Sequence, residues 1–124
     1  MPMSLVAIVG AALAFGVGAA HSYLGERYVL TRLFRRPDLP PLFGSDVFTR
    51  RTLRLAWHAT TLAWWGLGAV LVLLPTGAST AAIGAAVSAT FGATAVLTFV
   101  GSRGRHLAWI AFLAIAAAAW YSAF

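Results

Sequence analysis

Apolar residues dominate four stretches of the chain, at about residues 3–25, 54–75, 80–101 and 106–123. Each approaches the roughly 20 residues that a helix needs to cross a bilayer. The first carries His21 and two serines but no formal charge before Glu26. The second runs from Arg54 to Pro75, where Pro75, Thr76 and Gly77 have the composition of a tight helix connection. The third is rich in Ala, Gly, Thr and Ser. The fourth is short and closes on Trp120 and Tyr121, aromatics suited to a membrane interface. The pattern predicts an all-α polytopic membrane protein, a four-transmembrane-helix bundle formed by residues 1–124 as one domain, with a connection at about 26–53.

Within that connection, Glu26 to Arg36 keeps a helical pattern, so the first helix is expected to continue to Pro37 along the headgroup region. Pro37, Pro40 and Pro41 followed by Leu42, Phe43 and Gly44 then predict a rigid turn. Small residues four apart, Gly10, Ala14 and Gly18 in the first helix and Gly84, Ser88 and Gly92 in the third, predict close backbone approach within one bundle or between subunits. Phe15, Trp64, Trp65, Phe91, Phe99 and Phe112 are expected to fill the spaces beside them.

Composition agrees with a membrane location. Hydrophobic residues make up 60% of the chain and charged residues 10%, with a mean hydropathy of +0.83. A soluble domain has about a quarter charged residues, and a disordered chain has still fewer apolar ones. No cysteine is present, which excludes disulfides, a cysteine nucleophile, iron–sulfur clusters and thiolate zinc sites.

The net charge of +6 raises the question of nucleic acid. Every basic residue is arginine, however, and all lie beside apolar runs: Arg27, Arg32, Arg35, Arg36, Arg50, Arg51 and Arg54 in one segment, Arg103 and Arg105 in another. Such clustering follows the positive-inside rule. It predicts a multi-pass membrane protein with loops around Pro40 and Gly104 in the cytoplasm and both termini outside it, and no nucleic-acid partner. Gly18, Ala19 and Ala20 would suit a leader cleavage site, but the start lacks a positive region, so a retained first helix is expected.

Ionisable groups inside membrane helices are costly and mark candidate sites. At about 1.5 Å per residue, His21 and His58 fall about one turn inside the cytoplasmic edge and His106 on it. Arg51, Arg54, His58 and Thr61 make one polar stripe on the second helix, and Gly25 removes a side chain where something flat could approach. Thr94 and Thr98 lie at a similar depth. Two chemistries fit a shared pocket. One is haem b ligated by His21 and His58, with propionates toward Arg27, Arg54, Arg103 or Arg105. The other is a non-haem metal such as zinc or iron held by His21, His58, His106 and Glu26.

Alternatives are a non-catalytic accessory subunit of a homo-oligomer or larger membrane complex, and an arginine-lined site for anionic lipid or an isoprenoid phosphate, with His21 or Glu26 as acid or base. A hydrolase built on His21, Ser22 and Glu26 is disfavoured because adjacent helical residues point in different directions. From the histidine level outward the helices lack ionisable residues, which argues against transmembrane pumping. The strings HSYLGER (His21 to Arg27), RLAWHATTLAWWG (Arg54 to Gly66) and GRHLAW (Gly104 to Trp109) resemble those of a family of small bacterial inner-membrane proteins without an assigned activity. The resemblance covers most of the chain and implies four spans and a bacterial inner membrane.

Overall fold

A computed structural model describes residues 2–124 and is all-α. Helix α1 runs over Met3–Leu24, passes through a π-helical turn at Gly25–Leu30 and ends in Thr31–Leu33. Helix α2 spans Val47–Leu73 and closes in a 3-10 turn, Leu74–Thr76. Helices α3 and α4 span Thr80–Ser102 and Ala108–Ala123. The first three are long and apolar enough to cross a membrane. With 16 residues, α4 reaches only about 24 Å.

Local chemistry explains the ends. Pro75 lies in the 3-10 turn, and Gly77 takes the left-handed conformation (φ 67°) that stops it. The Ser79 hydroxyl then caps α3 by accepting the Ala82 amide at 3.2 Å. At the other end of α3, Arg103 and Gly104 are both left-handed. The Gly104 amide returns to the Phe99 carbonyl at 2.7 Å. Buried Ser102 donates to the Thr98 carbonyl at 2.6 Å and accepts the His106 amide at 3.1 Å, which ties the turn to the helix it leaves.

Two expected boundaries shift. Helix α2 starts at Val47, well before the predicted position near 54. The charge of this segment suggested a loop, but a helix outside the apolar layer tolerates arginine, and the Asp46–Arg50 pair at 2.5 Å spans its first turn. Helix α1 ends at Leu33, short of Pro37, as Phe34 begins the turn.

Arg50 organises that connection. Its guanidinium donates to the carbonyls of Phe34 and Arg36 as well as to Asp46, so one side chain closes the loop between α1 and α2. Arg36 and Asp38 form a second, exposed pair at 2.7 Å.

The helices pack in chain order: α1 on α2, α2 on α3, and α3 on α4. Among the described residues the backbone of α1 approaches neither α3 nor α4, and α2 stays apart from α4. The four helices therefore form an open row. Its buried apolar residues are few, mostly alanines at the contact lines: Ala7, Ala11, Leu30, Leu55, Ala95 and Ala116. Large apolar side chains such as Leu13, Leu67, Val96 and Val100 lie exposed on the outer faces. A free-standing protein in water would not leave so much apolar surface uncovered.

The loop closure yields a test. Arg50→Ala, and also Arg50→Lys, which lacks the guanidinium fork, should increase protease cleavage between residues 34 and 46 without unfolding the helices. The Arg50 hydrogen bond holds the Asp46 carboxyl below its usual value of 3.8. A carboxylate shifted this way supports the loop above its usual pKa and loses that support as pH falls through the lowered value. Limited proteolysis at a series of pH values should accordingly show protection intact at pH 5 and lost only below 3.8.

Candidate functional site

An indole N–H or hydroxyl inside an apolar layer needs an acceptor, and the backbone of a neighbouring helix supplies one if the two come close. Along α1 the carbonyls of Phe15, Gly18 and His21 face α2 and receive one donor each. Trp65 Nε1 donates to Phe15 at 3.1 Å, Thr61 Oγ1 to Gly18 at 3.1 Å, and Trp57 Nε1 to His21 at 2.9 Å. Residues three apart on α1 thus meet residues four apart on the antiparallel α2. His21 reciprocates, its Nε2 donating to the Trp57 carbonyl at 3.2 Å. The imidazole and indole rings stack at 4.5 Å and 2°.

Glycine makes the approach possible. A Cβ at Gly25 would overlap the Trp57 indole, and one at Gly18 would meet Trp65. The flat group that Gly25 admits is therefore a tryptophan of the same chain.

On the neighbouring face a second network begins. Ser22 Oγ lies 2.7 Å from Thr61 Oγ1 and 2.9 Å from His58 Nδ1. His58 Nε2 lies 3.1 Å from Glu26 Oε2. Arg54 reaches the same carboxylate through Nε at 3.1 Å and through Nη2 at 2.8 Å. Ser22 and Glu26 share a face of α1, and Arg54, His58 and Thr61 of the predicted stripe on α2 join them, whereas Arg51 does not.

Counting protons fixes the direction of each bond. A carbonyl only accepts, so Thr61 gives its single hydroxyl proton to Gly18. Ser22 must then donate to Thr61, which leaves its lone pairs for His58, and Nδ1 must carry a proton. Nε2 faces a carboxylate, so one further proton lies between His58 and Glu26. Arg54 pairs with the same carboxylate from the exposed side. In this arrangement His58 donates to Ser22 and does not draw a proton from it. Serine, histidine and glutamate are thus joined without forming an activated nucleophile.

The other predicted site residues lie apart. His106 sits in the connection between α3 and α4, stacked on Phe48 at 5.7 Å. It borders a cavity of about 140 Å³ together with Thr52 and Thr98. Thr94 and Thr98 donate to the carbonyls of Thr90 and Thr94 in their own helix. Arg103 and Arg105 are exposed at the same turn as His106. Arg27 lies over the ring of Tyr28, and of the four predicted propionate partners only Arg54 joins His58. Among the described residues no group of three or more His, Asp or Glu side chains is placed to hold a metal ion. Both nitrogens of His58 are engaged, and His21 uses Nε2 toward Trp57. The three imidazoles do not share a pocket: His21 and His58 lie at the α1–α2 contact, whereas His106 meets α2 at Phe48.

Sequence reasoning missed Trp57 and Trp65 as polar partners, although a tryptophan in a fully apolar helix carries a donor that must be satisfied. Compared with protein-family models, curated proteins and solved structures, the chain matches none. Roles for its residues therefore rest on their own geometry.

The proton count can be measured. In detergent micelles, nitrogen NMR of labelled His58 should show Nδ1 protonated. In Glu26→Gln the Nδ1 proton should remain, because Ser22 still accepts from it. Separately, Gly25→Ala should lower thermal stability by at least the ~1–3 kcal/mol typical of overpacked contacts, read as a drop in melting temperature.

Proposed function

We propose that this chain is a multi-pass protein of the bacterial inner membrane, with four crossings and both termini outside the cytoplasm, whose arginine-bearing edge holds anionic lipid headgroups. One observation carries this reading. The three carboxylates take one arginine each, Glu26 with Arg54, Asp38 with Arg36 and Asp46 with Arg50. Among the described residues Arg27, Arg32, Arg35, Arg51, Arg103 and Arg105 make no ion pair. All lie in the α1–α2 and α3–α4 connections or in the helical turns that adjoin them, at the same ends of the helices.

Unpaired arginines at a membrane edge match phosphate chemistry. Each contributes about 1 kcal/mol of attraction to an anionic surface, and the planar guanidinium can engage two phosphate oxygens at once. A haem b, zinc or iron centre has weaker support, since ligation by His58 would require breaking its bond to Ser22 or to Glu26. The apolar outer faces of the row suit lipid contact along its length.

Two measurements test the proposal. The chain lacks cysteine, so single cysteines can report topology. A membrane-impermeant maleimide applied to intact cells should label Thr76→Cys and Ser122→Cys and leave Ser45→Cys unlabelled; the reverse pattern would overturn the orientation. In neutral detergent, phosphatidylglycerol should raise the melting temperature more than phosphatidylcholine. That difference should shrink in 27/32/35 triple Arg→Gln protein and in about 1 M salt, where the screening length is about 3 Å. Equal stabilisation by both lipids would reject the headgroup role. A Soret band abolished by both His21→Ala and His58→Ala would restore the haem reading in its place.

A further inference from the structure

Two cavities lie end to end on the outer face of α1 and α2. One, of about 320 Å³, begins at Leu13 and Leu67. The other, of about 420 Å³, continues past Leu24 to Tyr28. Both are lined by Val17 and Trp64, so they form one groove. From Leu13 to Tyr28 it extends about 22 Å at 1.5 Å per residue. One hydrocarbon leaflet is about 15 Å deep, half of the core. Its walls are aliphatic and aromatic, and the imidazole of His21 lies within them already stacked on Trp57.

The groove ends at a charge. The Arg27 guanidinium sits 5.6 Å from the centroid of the Tyr28 ring that forms the last wall, and it has no acidic partner among the described residues. An occupant complementary to the whole groove is therefore a long apolar chain carrying an anion at one end.

We infer that the groove seats one acyl chain of an anionic phospholipid, with Arg27 holding its phosphate. The inference rests on the lipid reading above and assigns it a place and a stoichiometry. Arg27 supplies a two-pronged donor beside an aromatic ring at the depth where headgroups begin. The chain lies between α1 and α2, whose polar ladder keeps the groove walls at a fixed separation. Trp64 lines both halves of the groove.

Val17 is about half exposed in the groove floor and takes no part in the ladder, which makes Val17→Trp a suitable plug. Native mass spectrometry in neutral detergent with phosphatidylglycerol should find one lipid retained by the wild-type protein. Retention should fall about tenfold, roughly 1.4 kcal/mol, in Val17→Trp. Arg27→Gln should still bind a lipid but should lose the preference for phosphatidylglycerol over phosphatidylcholine. Melting curves confirm that each variant is folded.

Full retention in folded Val17→Trp would overturn the groove assignment. If the arginine triple variant still abolished the headgroup preference in that case, the broader lipid reading would survive. Absence of any preference in wild-type protein would remove both. A protein that appeared as a lipid-free dimer, dissociated by Val17→Trp, would show that a second copy occupies the groove and would also overturn the inference. Competition by a polyprenyl phosphate that outbinds phosphatidylglycerol at the same site would replace the acyl chain with an isoprenoid.

Discussion

Every donor placed in a water-poor layer must find an acceptor, and the contact between α1 and α2 is built around that constraint. Lipid tails give two apolar helices little reason to associate, so packing and interhelical hydrogen bonds carry the interaction. Three donors from α2 reach three carbonyls of α1, and His21 returns one bond. At about 0.6 to 2 kcal/mol for each such bond in a membrane, the set is sufficient to fix both the separation and the axial register. Sliding α2 by one residue would leave two indole N–H groups without partners. The close approach needs Gly18 and Gly25, because side chains there would push out the same indoles that form the bonds.

The second network uses that fixed register. Ser22, His58, Thr61, Glu26 and Arg54 connect the interior of the helix pair to the arginine edge through a single direction of donation, from His58 through Ser22 and Thr61 to the Gly18 carbonyl. His58 lies between a hydroxyl and a carboxylate, and Arg54 compensates the charge of Glu26 from the exposed side. The π-helical turn begins at Gly25, where α1 accommodates Trp57, and places Glu26 in its second position. Such turns are rare and often accompany functional positions. Here the turn adjoins both the close helix contact and the carboxylate that links it to arginine.

How much of this was legible depends on what a linear pattern can encode. The four helices, the arginine edge, the stripe Arg54, His58 and Thr61, and the close approach at Gly25 all follow from residue type and spacing. The open row does not. A helix that is apolar on every side has no distinguished face, so periodicity cannot say which neighbour it meets. The same limit hid the partner of Gly25, since small residues mark a contact without naming what fills it. The early start of α2 was obscured for a different reason: hydropathy marks the apolar layer, whereas the helix at Val47–Leu53 extends beyond it and is supported by Asp46 and Arg50. His106 shares a depth with the other histidines in sequence terms, but depth fixes only one coordinate of three.

The contrast with α3 explains why polar chemistry is confined to one side of the row. Its hydroxyls at Thr90, Thr94, Thr98 and Ser102 each donate to the carbonyl four residues earlier in the same helix. They are therefore satisfied without a neighbour and present only a methyl or a compact side chain at the contact. Packing onto α4 relies on smallness, with Gly84 against Ala123, and on one cross-helix bond from Ser88 to the Ala116 carbonyl at 2.9 Å. That half of the molecule achieves close association with few polar obligations between helices. The α1–α2 half, whose donors depend on a partner helix, is the one that places an imidazole, a carboxylate and an arginine together at its end.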